Sequence, residues 1–289
     1  MKSLYVTIAF CLASIPVLSQ VEREFFMGSS LNSDAKETIN EVRLTQEPSV
    51  KAFYSYNGIK LKDDIKYGRY GIDISKWQGE IDWAKVHLDT LPDRIQFVIV
   101  KATQGATIVD RKFAGNVTNV RDNRFILGCY HYYNQKADPV LQADLFIKNV
   151  TLRKGDFMPI VDVERNCFKD CGSTPDLLIP KDTLVRDLKI FITKLEQHYK
   201  SKVIIYTNEG FYNDNLSEDF KENYFWIAKY SNTPPKCFEV GGIYSPDNPC
   251  YRRMKKGCWQ FTQFGKVQGI STDVDLNFVT NFYLVKWQM

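Results

Sequence analysis

The chain has 289 residues, 44% of them hydrophobic and 25% charged, with a formal net charge of +4 at pH 7. That length holds one large domain or two small ones, and the composition excludes a disordered or collagen-like chain. The charge is too mild to argue for a nucleic-acid partner, though it suits attraction to an acidic surface.

The N-terminus reads as a signal peptide over residues 1–19. Lys2 supplies the positive region, Leu4 to Leu18 the apolar one, and Val17 and Ser19 are small enough for the −3 and −1 cleavage positions. Phe10 argues against a lipid anchor on Cys11, because a small residue is expected there. No later run is long enough to span a bilayer, so no stable membrane insertion is expected. The expected location is outside the cytoplasm, secreted or periplasmic. Residues 20–66 read as an N-terminal arm or linker. Within it 28–50 is polar and aperiodic, and 51–62 carries Phe53, Tyr54, Tyr56, Ile59 and Leu61.

From Tyr67 the pattern changes to short apolar runs alternating with amphipathic ones. Tyr70 to Ile74 reads as a strand and Asp82 to Leu88 as a short helix. Ile95 to Ala102 is a strong buried strand, and Asp110 to Asp122 is helical. Phe125 to Tyr133 is a strand, Pro139 to Val150 a helix, and residues 157–163 a strand. Lys181 to Tyr199 is the longest helix, with Leu184, Leu188, Phe191, Ile192 and Leu195 on one face. Val203 to Thr207 and Phe225 to Lys229 are strands, with a helical turn at Glu209 to Asn213 between them. The last two strands lie near Cys258–Phe261 and Asp273–Leu276.

The fold class is therefore α/β. About eight strands, helix-separated early, imply a parallel sheet closed into an irregular, TIM-barrel-like (β/α) barrel over residues 67–289. The runner-up is an open doubly wound sheet. No GxGxxG follows the first strand, so a dinucleotide site is not supported, and no cofactor is expected.

In such a barrel chemistry gathers at the C-terminal strand ends. The polar residues there are Asp73 and Ser75; Lys101, Thr103 and Gln104; His131 and Tyr133; Asp162 and Glu164; Thr207 and Asn208; Lys229 and Tyr230; and Asp275 and Asn277. Asp162 and Glu164 stand one residue apart at the end of an apolar run. On a strand they share one face, with Cβ atoms roughly 6–7 Å apart. Two acids on a buried face are costly unless paired or used. A pair with split pKa values supplies one neutral acid and one anion, which glycoside hydrolysis requires. The alternative is a strand end whose acids are solvated or bound to Arg or Lys. Asp73 and Asp275 have local alternatives as well, in turns and caps.

Seven cysteines are present, six of them beyond the signal peptide: Cys129, Cys167, Cys171, Cys237, Cys250 and Cys258. Export favours disulfides. Cys167 and Cys171 are spaced to pair with each other, and at least one disulfide is expected among Cys237, Cys250 and Cys258. Cys129, inside an apolar run, reads as a buried free thiol. The three scattered His residues support no metal site.

These strand ends resemble glycoside hydrolase family 25, the Chalaropsis-type muramidases. The resemblance rests on Gly71-Ile72-Asp73-Ile74-Ser75-Lys76-Trp77-Gln78-Gly79, Phe97 to Gly105, Gly128 to Tyr133, Pro159 to Glu164, Ile205-Tyr206-Thr207-Asn208, Trp226-Ile227-Ala228-Lys229-Tyr230, Trp259-Gln260-Phe261 and Val274-Asp275-Leu276-Asn277. They occur in the family's order across residues 67–282. The resemblance implies an irregular β/α barrel that cuts the β-1,4 bond between N-acetylmuramic acid and N-acetylglucosamine in peptidoglycan glycan strands. Glu164 matches the general acid, Asp162 the carboxylate that assists or stabilises developing positive charge, and Asp73 and Asp275 the further acids of the groove. Gln104 departs from the pattern, since the family often has Glu in its KATEG motif.

Tyr130, Tyr206, Trp226, Tyr230 and Gln104 are candidates to line sugar subsites, with core packing the alternative for each ring. His131 reads as a hydrogen-bonded structural residue, and Lys101 is expected to pair with an acid in the mouth. The sequons at Asn116, Asn149 and Asn215 matter only in a eukaryotic secretory host. Two other functions compete: hydrolysis of another N-acetylated glycan such as chitin, and a wall-binding barrel without turnover. Nothing in the sequence indicates oligomers, and a monomer is expected.

Overall fold

The computed structural model of the chain describes residues 68–87, 95–165, 177–230 and 256–289. Nine strands occur there: β1 Gly68–Ile74, β2 Ile95–Gln104, β3 Ile108–Val109, β4 Ile126–Tyr132, β5 Ile160–Asp162, β6 Ile204–Asn208, β7 Tyr224–Ala228, β8 Lys256–Gly265 and β9 Val274–Thr280. The helices are α1 Trp83–His87, α2 Phe113–Asp122, α3 Pro139–Asn149, α4 Lys181–Tyr199, α5 Glu209–Phe211 and α6 Asn281–Lys286. The sheet order is β1-β9-β8-β7-β6-β5-β4-β2-β3, and a further pairing of β1 with β2 closes eight strands into a barrel. β3 is an antiparallel two-residue flap on the end of β2. The expected eight-strand α/β barrel is therefore present.

One expectation fails in an instructive way. The sheet is mixed, because β9 runs antiparallel to both β8 and β1. Only residues 266–273 separate β8 from β9. A parallel return needs a crossover of roughly a dozen residues or more, so so short a link delivers the next strand antiparallel. The earlier barrel strands do pair in parallel, and helices are described in the connections from β4 to β5, β5 to β6 and β6 to β7.

Local sequence explains the elements that carry the mouth. β2 reads IQFVIVKATQ and is buried along most of its length, as a strand covered on both faces must be. α4 buries Leu184, Leu188, Phe191, Ile192 and Leu195, the stripe expected from a 3.6-residue period, and ends on Lys200 in a left-handed conformation. Asp138 caps α3 by accepting from the backbone of Val140 and Leu141, with Pro139 in the first turn. Inside the barrel the chain approaches itself closely. A Cβ on Gly71 would lie 2.3 Å from the Phe97 ring, so glycine is required there. Phe97 packs on Phe157 at 5.4 Å between centroids, and Phe157 on Trp287 at 5.9 Å.

β5 is shorter than expected. It spans three residues, and Val163 continues the ladder by donating to Tyr206 O at 2.9 Å. Glu164 lies just past the strand rather than on it. Asp110 likewise lies outside the helix expected to start there; its carboxylate accepts from the backbone of Lys76 and Lys112, and α2 begins at Phe113. Cys129 is a buried free thiol, as expected. Cys258 is also buried and free, because β8 carries it into the core, which removes it from the expected disulfides. Cys167, Cys171, Cys237 and Cys250, the signal peptide and the arm lie outside the described residues. Of the sequons, Asn116 and Asn215 are buried, and Asn149 donates to Leu145 O at 2.7 Å.

Candidate active site

The barrel register places four carboxyls at one mouth. Asp73, near the end of β1, is directly opposite Asp275 of β9. Because β9 is antiparallel, its N-terminal end lies at the mouth; Asp275 enters from the start of its strand, not from a C-terminal end as expected. Asp162 closes β5, flanked in register by Tyr132 and Tyr206. Glu164 follows two residues on.

Asp73 is the best anchored. Its Oδ2 accepts from Asn277 Nδ2 at 2.7 Å and from Gln260 Nε2 at 2.9 Å. Those amides are held in turn: Asn277 Oδ1 accepts from Trp226 Nε1 at 2.8 Å, and Gln260 Oε1 accepts from the hydroxyls of Tyr206 at 2.9 Å and Tyr230 at 2.7 Å. Five side chains from four strands and the loop after β7 thus converge on one carboxylate. Such a network fixes geometry because each amide has a single satisfying orientation.

The network also sorts the aromatic candidates. Trp226 is 1% exposed, its indole buried on Asn277 and packed edge-on against Tyr206, so it supports the floor and offers no ring face to a sugar. Tyr206 is buried with its hydroxyl committed to Gln260. Tyr130 and Tyr230 are half-buried at the mouth, among the acids. Gln104, half-buried at the end of β2, accepts from Lys101 Nζ at 2.8 Å. Lys101 was expected to pair with an acid; it pairs with this amide and lies over the Tyr132 ring at 4.6 Å. His131 is buried between Thr103 (2.7 Å from Nδ1) and Gln142 (3.1 Å from Nε2). Gln142 Oε1 also accepts from Asn134 N, so the imidazole donates from Nε2; burial pushes its pKa down to about 4. It is a neutral structural residue, as expected. The sequence places Asn277 among the polar strand-end residues and Gln260 in a family-resembling segment but assigns neither a role; the signal for one is a lone amide in each of two apolar runs, Trp259-Gln260-Phe261 and Leu276-Asn277-Phe278.

Burial dominates the electrostatics. It raises Asp73 to about 6 against the lowering effect of its amide donors. Glu164, half-buried as a residue with its carboxyl desolvated, is raised to about 7; Lys101 opposes the shift and Asp73 adds to it. Asp162 is pushed well up by burial and then by Glu164, and Asp275 by burial and then by Asp73. Asp162 Oδ1 is buried and accepts no hydrogen bond from the described residues. The mouth therefore holds protonated carboxylic acid near neutral pH beside groups that can ionise, the combination needed for proton donation next to charge stabilisation. A cavity of about 580 Å³ outside the barrel, lined by Phe113, Val117, Arg121, Cys129, Asn149 and Arg153 among others, contains none of these four acids.

Comparison with known proteins agrees with this geometry. Residues 72–270 match the model of glycosyl hydrolases family 25. The protein YegX of Escherichia coli (strain K12) is 31% identical over 229 residues, 78% of this chain and 75% of that one. Lysozyme M1 of Streptomyces globisporus is 28% identical over 224 residues, 73% of this chain and 67% of that one. Among solved structures, a family 25 glycosyl hydrolase from Bacillus anthracis aligns with a TM-score of 0.62 and 26% identity, over 78% of this chain and 95% of that one. With the matched span covering β2 to β8 and three of the four acids at the mouth, the chain belongs to family 25 of the glycosyl hydrolases.

Proposed function

We propose that this protein is an exported lysozyme that hydrolyses the β-1,4 bond between N-acetylmuramic acid and N-acetylglucosamine, with Glu164 as general acid. The observation that carries the assignment of roles is the Glu164 carboxyl raised to about 7 beside Asp162 at the barrel mouth. Similarity to Lysozyme M1 and to the autolytic lysozyme of Clostridium acetobutylicum supports the substrate class.

Glu164 gives its proton to the leaving glycosidic oxygen as the C–O bond breaks. Asp162 and Glu164 approach the sugar from one side of the barrel, which fits net retention better than an inverting water held on the far face. The 2-acetamido oxygen of the muramic acid then attacks the anomeric carbon. Asp162 Oδ1, buried and without a donor among the described residues, is suited to accept the acetamide N–H and to stabilise the oxazolinium-like charge. Water opens that intermediate as the Glu164 carboxylate takes its proton back. Asp73 and Asp275 raise the neighbouring carboxyls and border the groove, while Tyr130 and Tyr230 offer the half-buried rings for sugar contact.

Export by residues 1–19, with residues 20–66 as an arm, places this chemistry where wall polymer is found, and the oxidising setting favours a Cys167–Cys171 bond and a Cys237–Cys250 bond. Clearing of purified bacterial walls, with mass spectrometry of the released fragments, tests the function. Reducing-end N-acetylmuramic acid is the expected product. Absence of clearing favours a binding barrel, and turnover of chitin without wall clearing favours another N-acetylated glycan.

A further inference from the structure

Beside the four carboxyls of the mouth, Lys101 pairs with no acid among the described residues. Lys101 Nζ donates to Gln104 Oε1 at 2.8 Å and lies 4.6 Å from the centroid of the Tyr132 ring. Neither partner is charged. The register fixes where this ammonium acts. Lys101 pairs with Tyr130 and Gln104 with Tyr132 across β2 and β4, and Tyr132 pairs with Asp162 across β4 and β5. Lys101 thus stands beside the strand that ends in the two central acids.

The charged groups around it come from every neighbouring element. Asp162 and Glu164 face it from β5 and its extension, Asp110 from the segment after β3, and Lys76 from the turn after β1. Asp110 is already engaged by the backbone of Lys76 and Lys112. Asp73 acts on both Asp162 and Glu164 from β1, and Asp275 on Asp162 from β9. Lys101 is the cation that favours ionisation of both Asp162 and Glu164.

We propose that Gln104 is a positioning residue that sets the working pH of the site, holding the Lys101 ammonium beside Asp162 and Glu164 without neutralising it. An amide oxygen directs the ammonium as well as a carboxylate would, yet carries no counter-charge. A glutamate at the same place would form a salt bridge of nearly the same shape and cancel much of the field reaching the two acids. In a partly buried site a unit charge several ångströms away moves a carboxyl pKa by roughly one unit. The sign follows from the charge: cancelling Lys101 removes stabilisation of both carboxylates and raises both pKa values. The proton on Glu164 then survives to higher pH, and ionisation of Asp162 requires higher pH, so both limbs of the activity profile move upward.

The inference rests on the lysozyme reading for its enzymatic readout, so the test has a second arm without turnover. Clearing rates on purified walls are measured from pH 4 to 9 at fixed ionic strength for the wild type, Gln104→Glu and Lys101→Met. Both variants are expected to move both limbs upward by roughly one unit, so that at the acid end Gln104→Glu falls about tenfold further below its optimum than the wild type falls below its own. In the second arm, ¹³C carboxyl titration of the resting wild type and of Gln104→Glu reads Asp162 and Glu164 directly and should show both midpoints raised. Uniform loss of rate at all pH values with unmoved limbs overturns the proposal and makes Gln104 a packing or substrate contact. Unmoved or lowered carboxyl midpoints overturn it as well. Absence of clearing by the wild type together with raised midpoints overturns the lysozyme reading and leaves this inference standing.

Discussion

Replacing Glu164 with Gln separates the two things its carboxyl does. The amide is nearly isosteric but cannot donate the catalytic proton, and general acid catalysis contributes roughly 10²–10⁴-fold, or about 3–5 kcal/mol of barrier. The same change should stabilise the fold at alkaline pH. Burial raises the Glu164 carboxyl from 4.5 to about 7, so the folded state binds its proton more tightly than the unfolded chain does. Stability therefore falls as pH rises from about 4.5 to about 7, and above that range the ionised form costs up to roughly 3 kcal/mol. A neutral Gln carries no such cost. In a domain of this size that difference corresponds to a rise in Tm of up to roughly 6–12 °C at pH 8, with little change at pH 4. Wall-clearing rates and thermal unfolding at both pH values make the check. Activity above a tenth of wild type would mean that another residue is the acid. A Tm gain equal at both pH values would show that the carboxyl is not held neutral by its site.

Asp162→Asn should lower turnover by two or more orders of magnitude with little change in binding to walls, and walls with de-N-acetylated muramic acid should resist the wild type. Comparable rates on both substrates, or a glycosyl ester trapped on Asp162, would replace substrate assistance with a carboxylate nucleophile. Asn277→Leu should destabilise the fold by roughly 2–5 kcal/mol, because it strips a donor from buried Asp73 and an acceptor from the buried Trp226 indole; denaturant unfolding measures this. Cys129 and Cys258, both buried and both raised in pKa by burial, should react with a thiol reagent only at the rate of unfolding, and rapid modification of either in the native protein would contradict their placement.

Much of this fold could be read before any coordinates, and the parts that could not have a common cause. α4 falls on the expected bounds, Lys181 to Tyr199, because one apolar stripe repeats over 19 residues. The strand cores are legible for the same reason. The direction of β9 is not, since alternation looks the same read either way; that information lies in the short β8–β9 link. The four acids were found through local pattern and resemblance. The role of their anchors is not legible, because Gln260 and Asn277 reach Asp73 across 187 and 204 positions of sequence and meet it only when the barrel closes. Trp226 illustrates the same limit: an aromatic at a strand end has two faces to choose between, and its burial and its Asn277 contact show that it faces into the core.

What the anchors have in common bears on why the site can work near neutral pH. Asp73 is held by two amides and Lys101 by a third, and among the described residues Asp73, Asp162 and Asp275 make no ion pair. Had Arg or Lys gripped these carboxyls directly, the paired anions would be favoured and the proton needed for glycosidic cleavage would be lost well below pH 7. Away from the four acids the chain does use that device: Arg121 binds Asp156 at 2.6 Å and secures the segment before β5. Neutral donors orient a buried carboxylate while leaving most of its desolvation in place. The geometry of the mouth is fixed by hydrogen bonds, and its charge is left dear enough to protonate, which sacrifices stability above pH 7 for a proton held where a leaving oxygen can take it.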